Sequence, residues 1–178
     1  MITGIDPRKQ HFLLRASVAV NGRSLTILEH VYPLDQKEKR SVHKVFMTKL
    51  KSILPATCKP IIVSDAGFRV PWCKMIKSLG WDYVGRVRNS TFCQSDSSDT
   101  WQPIKSLYTL ATRVAKPLGR YQLCRNAPIL CQFVIYQGQR KGRHHLNAVG
   151  KPRKGKPSRV HAKREKEPWL LATSLTLI

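Results

Sequence analysis

Acidic residues are scarce in this chain, and long apolar runs and paired cysteine motifs are missing. The 178 residues include 10 Asp and Glu against 32 Lys and Arg, which gives a net charge of +22. No apolar run reaches the roughly 18 residues that a membrane helix needs, and Arg15 makes residues 11–20 a poor signal-peptide core. The five cysteines form no C-x-x-C pair, so neither a disulfide framework nor a zinc motif is predicted. These absences predict a cytoplasmic protein with no membrane partner.

The excess of positive charge indicates a polyanionic partner, and nucleic acid is the partner that best matches it. The apolar content of 42% is high enough for a hydrophobic core and argues against global disorder. Residues 140–166, here called the basic arm, hold eleven Lys or Arg and one acid. The arm is predicted to be mobile. One interpretation is a solvated loop, and the other is a phosphate-binding arm that includes Arg140, Lys141 and Arg143. The two are compatible, because a mobile basic segment can become ordered when it binds nucleic acid.

The first half of the chain shows a regular alternation of elements. Asn21-Gly22 between two β-prone arms predicts a hairpin over residues 11–32 with a type I′ turn, in a sheet covered on both faces. Residues 41–54 are predicted to be a helix with Ser41 as its cap. A buried strand at residues 60–64, a helix at 70–79 and a strand at 81–88 follow. The order β-β-α-β-α-β predicts an α/β fold, a mixed sheet with flanking helices.

After residue 89 the composition and the hydrophobic pattern of the sequence change. Polar residues cluster near 95–99, and short strands are predicted at 121–124, 129–136 and 169–175. We therefore expect two regions: 1–90, an α/β core, and 91–178, a β-rich excursion interrupted by the basic arm at 140–166.

Asp65 is the leading candidate for chemistry. It follows a short apolar strand and precedes a glycine turn, and α/β sheets place functional groups at the carboxyl ends of strands. A lone acid at such a position in a cationic chain suggests a metal ion that faces a polyanion. The alternative is a turn aspartate that caps the Gly67 loop, because Asp-x-Gly turns are common.

Four other features have a functional and an ordinary interpretation. Arg86 and Arg88 form either a DNA contact or the solvated face of a strand. Trp169 is either a base-stacking surface or a core aromatic. Cys73 is more typical of a small buried residue than of a nucleophile. His144 and His145 lie in the basic arm without a further ligand, which favours solvated side chains over a metal site.

Six segments of the chain form a recognisable set, at residues 14–19, 62–68, 70–72, 79–81, 86–88 and 166–173. Together they resemble the cut-and-paste DDE transposases of bacterial insertion sequences, in the branch that includes the Tn-ten element. The resemblance implies an RNase H-like core with a β-rich insertion, found in the bacterial cytoplasm near the nucleoid. It also implies DNA partners, namely transposon ends and target DNA, and association with itself or with a full-length transposase.

The chemistry that the resemblance implies is Mg²⁺-dependent phosphoryl transfer. Two Mg²⁺ ions held by three carboxylates stabilise the attacking and leaving oxygens. Asp65 matches the second catalytic aspartate and thus a metal ligand. Arg86 matches a position near the transposon end, with Arg88 beside it, and Trp169 matches a position that stacks on a base flipped out of the duplex.

The chain departs from the family pattern at both ends. The first catalytic aspartate aligns at or before Met1, with Asp6 the nearest acid, and the third carboxylate falls beyond Ile178. The resemblance thus implies a truncated chain, inactive alone, with apolar surface exposed at Leu13, Ile62 and Val63. The alternative function is a non-catalytic basic nucleic-acid-binding protein, such as a remnant that competes with a full-length enzyme for DNA.

Overall fold

The computed structural model describes residues 2–4, 10–37, 39–88, 90–138, 149, 151, 155 and 167–176. The chain divides into two compact units, Met1–Gly85 and Arg86–Ile178. Within the described ranges no helix is long and apolar enough to cross a membrane. The predictions for Asp6, for the two adjacent histidines and for Arg140, Lys141 and Arg143 fall outside these ranges.

The first unit begins with a three-stranded antiparallel sheet in the order β1-β2-β3. Its strands are β1, Ile2–Gly4, β2, His11–Val20, and β3, Arg23–Pro33. Asn21 and Gly22 have φ values of 45° and 77°, which confirms the predicted primed turn. Phe12, Leu14 and Tyr32 are buried near the base of the hairpin. The expectation of cover on both faces was wrong, because residues 17–27 near the turn are exposed.

Two α-helices follow in this unit, α1 at Arg40–Ile53 and α2 at Val70–Ser78, with a 3₁₀ turn at Leu34–Gln36 before α1. The predicted cap at Ser41 was wrong: α1 begins one residue earlier, and Lys39 occupies the N-cap position without a side-chain hydrogen bond. The apolar pattern predicts a buried stripe of Val42, Val45, Phe46, Leu50, Ile53 and Leu54, which is confirmed for Val42, Phe46 and Leu50 only. Val45 and Ile53 are exposed, and the buried residues are Val42, His43, Phe46, Met47 and Leu50.

Aromatic contacts join the two helices. The His43 ring lies 5.2 Å from the Trp72 ring and 5.7 Å from the Phe68 ring, measured between centroids. Cys73 is buried beside them, as predicted, and burial raises the pKa of its thiol to about 12. Gly80, with φ of 77°, follows the end of α2 at the position where a left-handed conformation stops a helix.

Strands β4, Ile61–Ser64, and β5, Asp82–Val87, form a parallel pair in which Ser64 is opposite Gly85. The prediction that β4 is buried was wrong: Ile61 is 51% exposed and Val63 is 77% exposed. The reason is that β4 is the terminal strand in the order of its sheet among the described strands. The expected exposure of apolar surface is confirmed for Val63, whereas Leu13 and Ile62 are half-buried.

The second unit consists mainly of antiparallel strands in the order β10-β9-β8-β6-β7. One face of β8, β9 and β10 is buried, and the Tyr121 and Phe133 rings stack on it with centroids 4.7 Å apart. The prediction at 129–136 is confirmed, while β6, β7 and the first half of β8 were missed. The elements are β6 Phe92–Ser95, β7 Trp101–Pro103, a 3₁₀ helix Ile104–Leu110, β8 Lys116–Leu123, β9 Ile129–Tyr136 and β10 Trp169–Thr173.

Candidate catalytic position and nucleic-acid interface

Asp65 lies directly after the carboxyl end of β4 and is exposed to solvent. Its Oδ1 accepts a hydrogen bond from the backbone N–H of Gly67 at 3.0 Å, and its carbonyl accepts one from the N–H of Phe68 at 3.3 Å. A Cβ on residue 67 would stand 3.1 Å from the same Oδ1, so glycine leaves room for this turn. The turn interpretation is therefore observed, and it holds the carboxylate in a defined orientation toward solvent.

A carboxylate has two oxygens and about four lone-pair directions. One hydrogen bond to Gly67 therefore leaves Asp65 with capacity to bind a cation, and hard oxygen ligands suit Mg²⁺. Within the ranges that the structure describes, no group of three or more His, Cys, Asp or Glu side chains is arranged to hold a metal ion. Asp65 accordingly fits as one ligand of a metal site rather than as a complete site.

Arg86 and Trp169 contact each other in the second unit. The Arg86 guanidinium carbon lies 4.3 Å from the centroid of the Trp169 ring, within cation–π range. Trp169 opens β10 and is 50% exposed, whereas the next residue, Leu170, is fully buried. The core-aromatic interpretation of Trp169 is therefore wrong. The half-exposed ring and the guanidinium form a surface that we call the Arg86–Trp169 platform.

Arg86 lies in β5, and Arg88 directly follows the last residue of that strand, Val87. Both are half-buried, so the fully solvated strand face that the bare pattern suggested is not observed. Gly85, which precedes Arg86, and Val87, which lies between the two arginines, are buried on the other face of β5.

Tyr108 and Glu167 belong to the same neighbourhood and were missed by the sequence reasoning. Burial raises the pKa of the Tyr108 phenol, as does the charge of Glu167, while the charges of Arg86 and Arg88 act in the opposite direction. The Tyr108 hydroxyl is buried without a hydrogen-bond partner among the described residues. Lys105 Nζ lies 3.8 Å from Glu167 Oε1. Glu167 stands in a segment quoted above for the resemblance, but an isolated tyrosine in a short 3₁₀ helix carries no sequence signal.

The structure thus brings two of the predicted residues into contact, Arg86 and Trp169, and places Arg88 directly after the strand that holds Arg86. Asp65 lies in the first unit, and the three predicted basic-arm residues lie outside the described ranges.

Comparison with protein families gives a match to the family described as the transposase DDE domain, over residues 2–166. The matched region includes Asp65, Arg86 and Arg88 and ends before Trp169. Comparisons with curated proteins and with solved structures gave no match. The mixed α/β fold, with helices and an antiparallel region, agrees with an RNase H-like transposase domain. Because the match covers most of the 178 residues, the chain belongs to the transposase DDE domain family.

Proposed function

We propose that this chain binds transposon-end DNA and contributes part of the apparatus that, in a complete transposase, cleaves and joins DNA by Mg²⁺-dependent phosphoryl transfer. The observation that carries the proposal is the Arg86–Trp169 platform in a chain of the transposase DDE domain family. A guanidinium beside a half-exposed indole adds positive charge to an aromatic face, a combination suited to binding an unpaired DNA base.

Asp65 is assigned the role of metal ligand in this proposal. The Gly67 N–H holds its carboxylate toward solvent, where a phosphodiester has access to it. The chemistry supplied by bound Mg²⁺ is stabilisation of negative charge on the attacking and leaving oxygens. In the reaction the phosphorus forms a bond to the oxygen of water or of a DNA 3′-hydroxyl, and its bond to the leaving oxygen breaks.

The Arg86–Trp169 platform is assigned to the DNA end itself. The exposed half of the Trp169 ring stacks on an unpaired base, a contact worth about 1–3 kcal/mol. Arg86 keeps the ring in place through the cation–π contact and adds positive charge next to it. Arg88, two residues further along the chain, contacts a phosphate.

The wider organisation is proposed on the same grounds. Residues 1–90 are assigned to an RNase H-like core of the Tn-ten-like branch, and residues 91–178 to the β-rich insertion. The basic arm, with Arg140, Lys141 and Arg143, binds phosphates of the transposon end or of target DNA. A second copy or a full-length transposase supplies further carboxylates to the metal site.

The second candidate is a non-catalytic DNA-binding protein that occupies transposon ends and competes with a full-length enzyme. One observation favours it: the acids of the described ranges do not converge into a metal-holding group around Asp65. Binding to DNA without any strand cleavage is what this candidate requires.

One experiment tests the proposed function and separates the two candidates. The whole chain is titrated onto duplexes that carry the terminal repeats flanking its reading frame, and then incubated with Mg²⁺ or Mn²⁺ alone or with a full-length transposase. Binding to the repeats supports the proposed function. Increased joining in the mixture, lost with Asp65→Ala, supports a catalytic contribution, whereas decreased joining supports the competitor. The proposed function fails if the repeats are bound no better than unrelated DNA.

A further inference from the structure

Helix α1 has an unusual distribution of charge. Its 14 residues include no acid, and its four Lys and Arg residues are all exposed. These are Arg40, Lys44, Lys49 and Lys51.

The positions of these cations around the helix leave a polar strip between them. At about 100° per residue, Arg40, Lys44 and Lys51 fall within about 40° of one another, and Lys49 lies at the opposite border of the exposed side. The strip between the two borders holds the exposed residues Ser41, Val45, Thr48 and Ser52. Lysine and arginine side chains with hydroxyls between them are the groups that contact DNA phosphates.

The charge at the start of α1 opposes the stability of the helix. Lys39 is the N-cap and Arg40 the first helical residue, and the first turn contains no acid and no side-chain cap. Cations at this end face the positive end of the helix dipole, which is unfavourable. A bound polyanion reverses that interaction, because phosphate is attracted both by the dipole and by the side chains.

We propose that the exposed face of α1 binds the phosphate backbone of duplex DNA without reading its sequence. The inference rests on the proposed function in that the chain acts on DNA, and it adds a contact surface in the first unit to those proposed in the second. Duplex DNA is the occupant because a regular line of phosphates is the polyanion that complements a row of three cations along a helix, with a fourth across the polar strip. Target DNA and the duplex part of a transposon end present the same chemistry.

A pair of charge-matched variants tests the inference on the full chain. Each variant replaces three exposed cations by glutamine, so the net charge changes equally. The α1 variant is K44Q/K49Q/K51Q, and the control variant is K59Q/R113Q/K116Q.

The readout is the dependence of DNA affinity on salt, measured by fluorescence anisotropy on a random-sequence duplex. Each lost phosphate contact lowers the slope of log K against log salt by about 0.9. The α1 variant should therefore lose about 2.7 from the slope. When salt rises from about 50 to 200 mM, the α1 variant should therefore lose about 40-fold less affinity for DNA than the unmodified chain loses. The control variant should keep the slope of the unmodified chain to within about 0.9.

A single substitution separates DNA contact from damage to the fold. Ser41→Glu places an acid in the first turn of α1, where it stabilises the helix through the dipole. The same acid repels phosphate at the centre of the proposed surface. The melting temperature should rise or stay unchanged while the affinity for DNA falls.

The possible outcomes distinguish failure of the inference from failure of the proposed function. If the α1 variant and the control variant show the same slope, or if Ser41→Glu leaves affinity unchanged, α1 is an ordinary solvated helix and the inference is wrong. If the unmodified chain binds no duplex at low salt, the proposed function fails together with it.

Discussion

Replacement of Trp169 by leucine tests the Arg86–Trp169 platform. Leucine keeps an apolar side chain at the start of β10 but removes the aromatic face. Stacking on an unpaired base is worth about 1–3 kcal/mol, so the substitution should weaken binding to DNA with one unpaired base by about 5- to 150-fold. Binding to a fully paired duplex should change little, because the stacking partner is then absent.

The cost in folding stability should be of the same order as the effect on binding, so binding is compared in the folded protein. Half of the Trp169 side chain is already exposed. The apolar area lost on change to leucine is on the order of 50 Å², or about 1 kcal/mol, and loss of the cation–π contact adds about 0.5–1 kcal/mol. The neighbouring Leu170 is fully buried. Leu170→Ala should cost about 2–5 kcal/mol of stability and leave the preference for an unpaired base unchanged in the folded fraction.

The assay is the ratio of two dissociation constants, for a paired duplex and for the same duplex with one unpaired base. Trp169→Phe should keep most of the preference because an aromatic face remains. Trp101 in β7, at the other end of the strand order of the second unit, provides a control tryptophan whose replacement by leucine should not alter the ratio. The reasoning is refuted if Trp169→Leu preserves the ratio of the unmodified protein.

Three further predictions concern catalysis, the basic arm and a buried thiol. The isolated chain should not nick end-labelled terminal-repeat DNA with Mg²⁺ or Mn²⁺, because the described residues hold no group of three or more metal-binding side chains around Asp65 and one carboxylate cannot hold two metal ions; nicking that Asp65→Ala abolishes would contradict this. Removal of residues 140–166 should reduce the salt dependence of DNA binding. If the arm neutralises about six phosphates, the slope of log K against log salt should fall in magnitude by about 5. An unchanged slope would show that the arm does not contact DNA. The Cys73 thiol, with its pKa raised to about 12 from 9.0, should resist alkylation near pH 8 while the exposed Cys58 reacts. Since the thiol of the unfolded chain ionises near pH 9 and that of the folded chain does not, stability should fall between about pH 9 and 12; rapid labelling of Cys73 in the folded protein would show that it is accessible.

Residues with restricted or unusual backbone conformations made the turns and helix ends of the fold predictable from sequence. Asn21-Gly22 identified its hairpin because few residues adopt the positive φ angles of a primed turn. Pro55 and Gly80 marked where the two helices end. β9 was found with its observed bounds because it is a run of eight residues that is apolar or aromatic except at Gln132.

The sequence predictions were wrong where burial depends on contacts between distant parts of the chain. Three of the four residues of β4 are apolar, which suggested a buried strand, but a terminal strand leaves Val63 exposed. In α1 the presence of His43 in the core and of Val45 on the surface depends on the aromatic rings of Phe68 and Trp72. Short polar strands such as β6 and β7 have no periodicity long enough to detect.

The candidate site was predictable mainly through the family resemblance. Motif order pointed to Asp65, Arg86 and Trp169, and the structure adds the contact between the last two. Tyr108 was not predictable, because its neighbours come from distant parts of the sequence.

The most direct test of the central claim is a competition measurement with the full chain. A labelled duplex that carries a terminal repeat flanking the reading frame is bound, and unlabelled repeat DNA or a shuffled duplex of equal length is added at physiological salt. Phosphate contacts contribute equally to the affinity for both competitors, because they do not depend on sequence. The difference between the two competitor concentrations that displace the label therefore measures recognition of the transposon-end sequence. The proposed function predicts that repeat DNA displaces the label at a much lower concentration than shuffled DNA does. Equal displacement by the two competitors would contradict it.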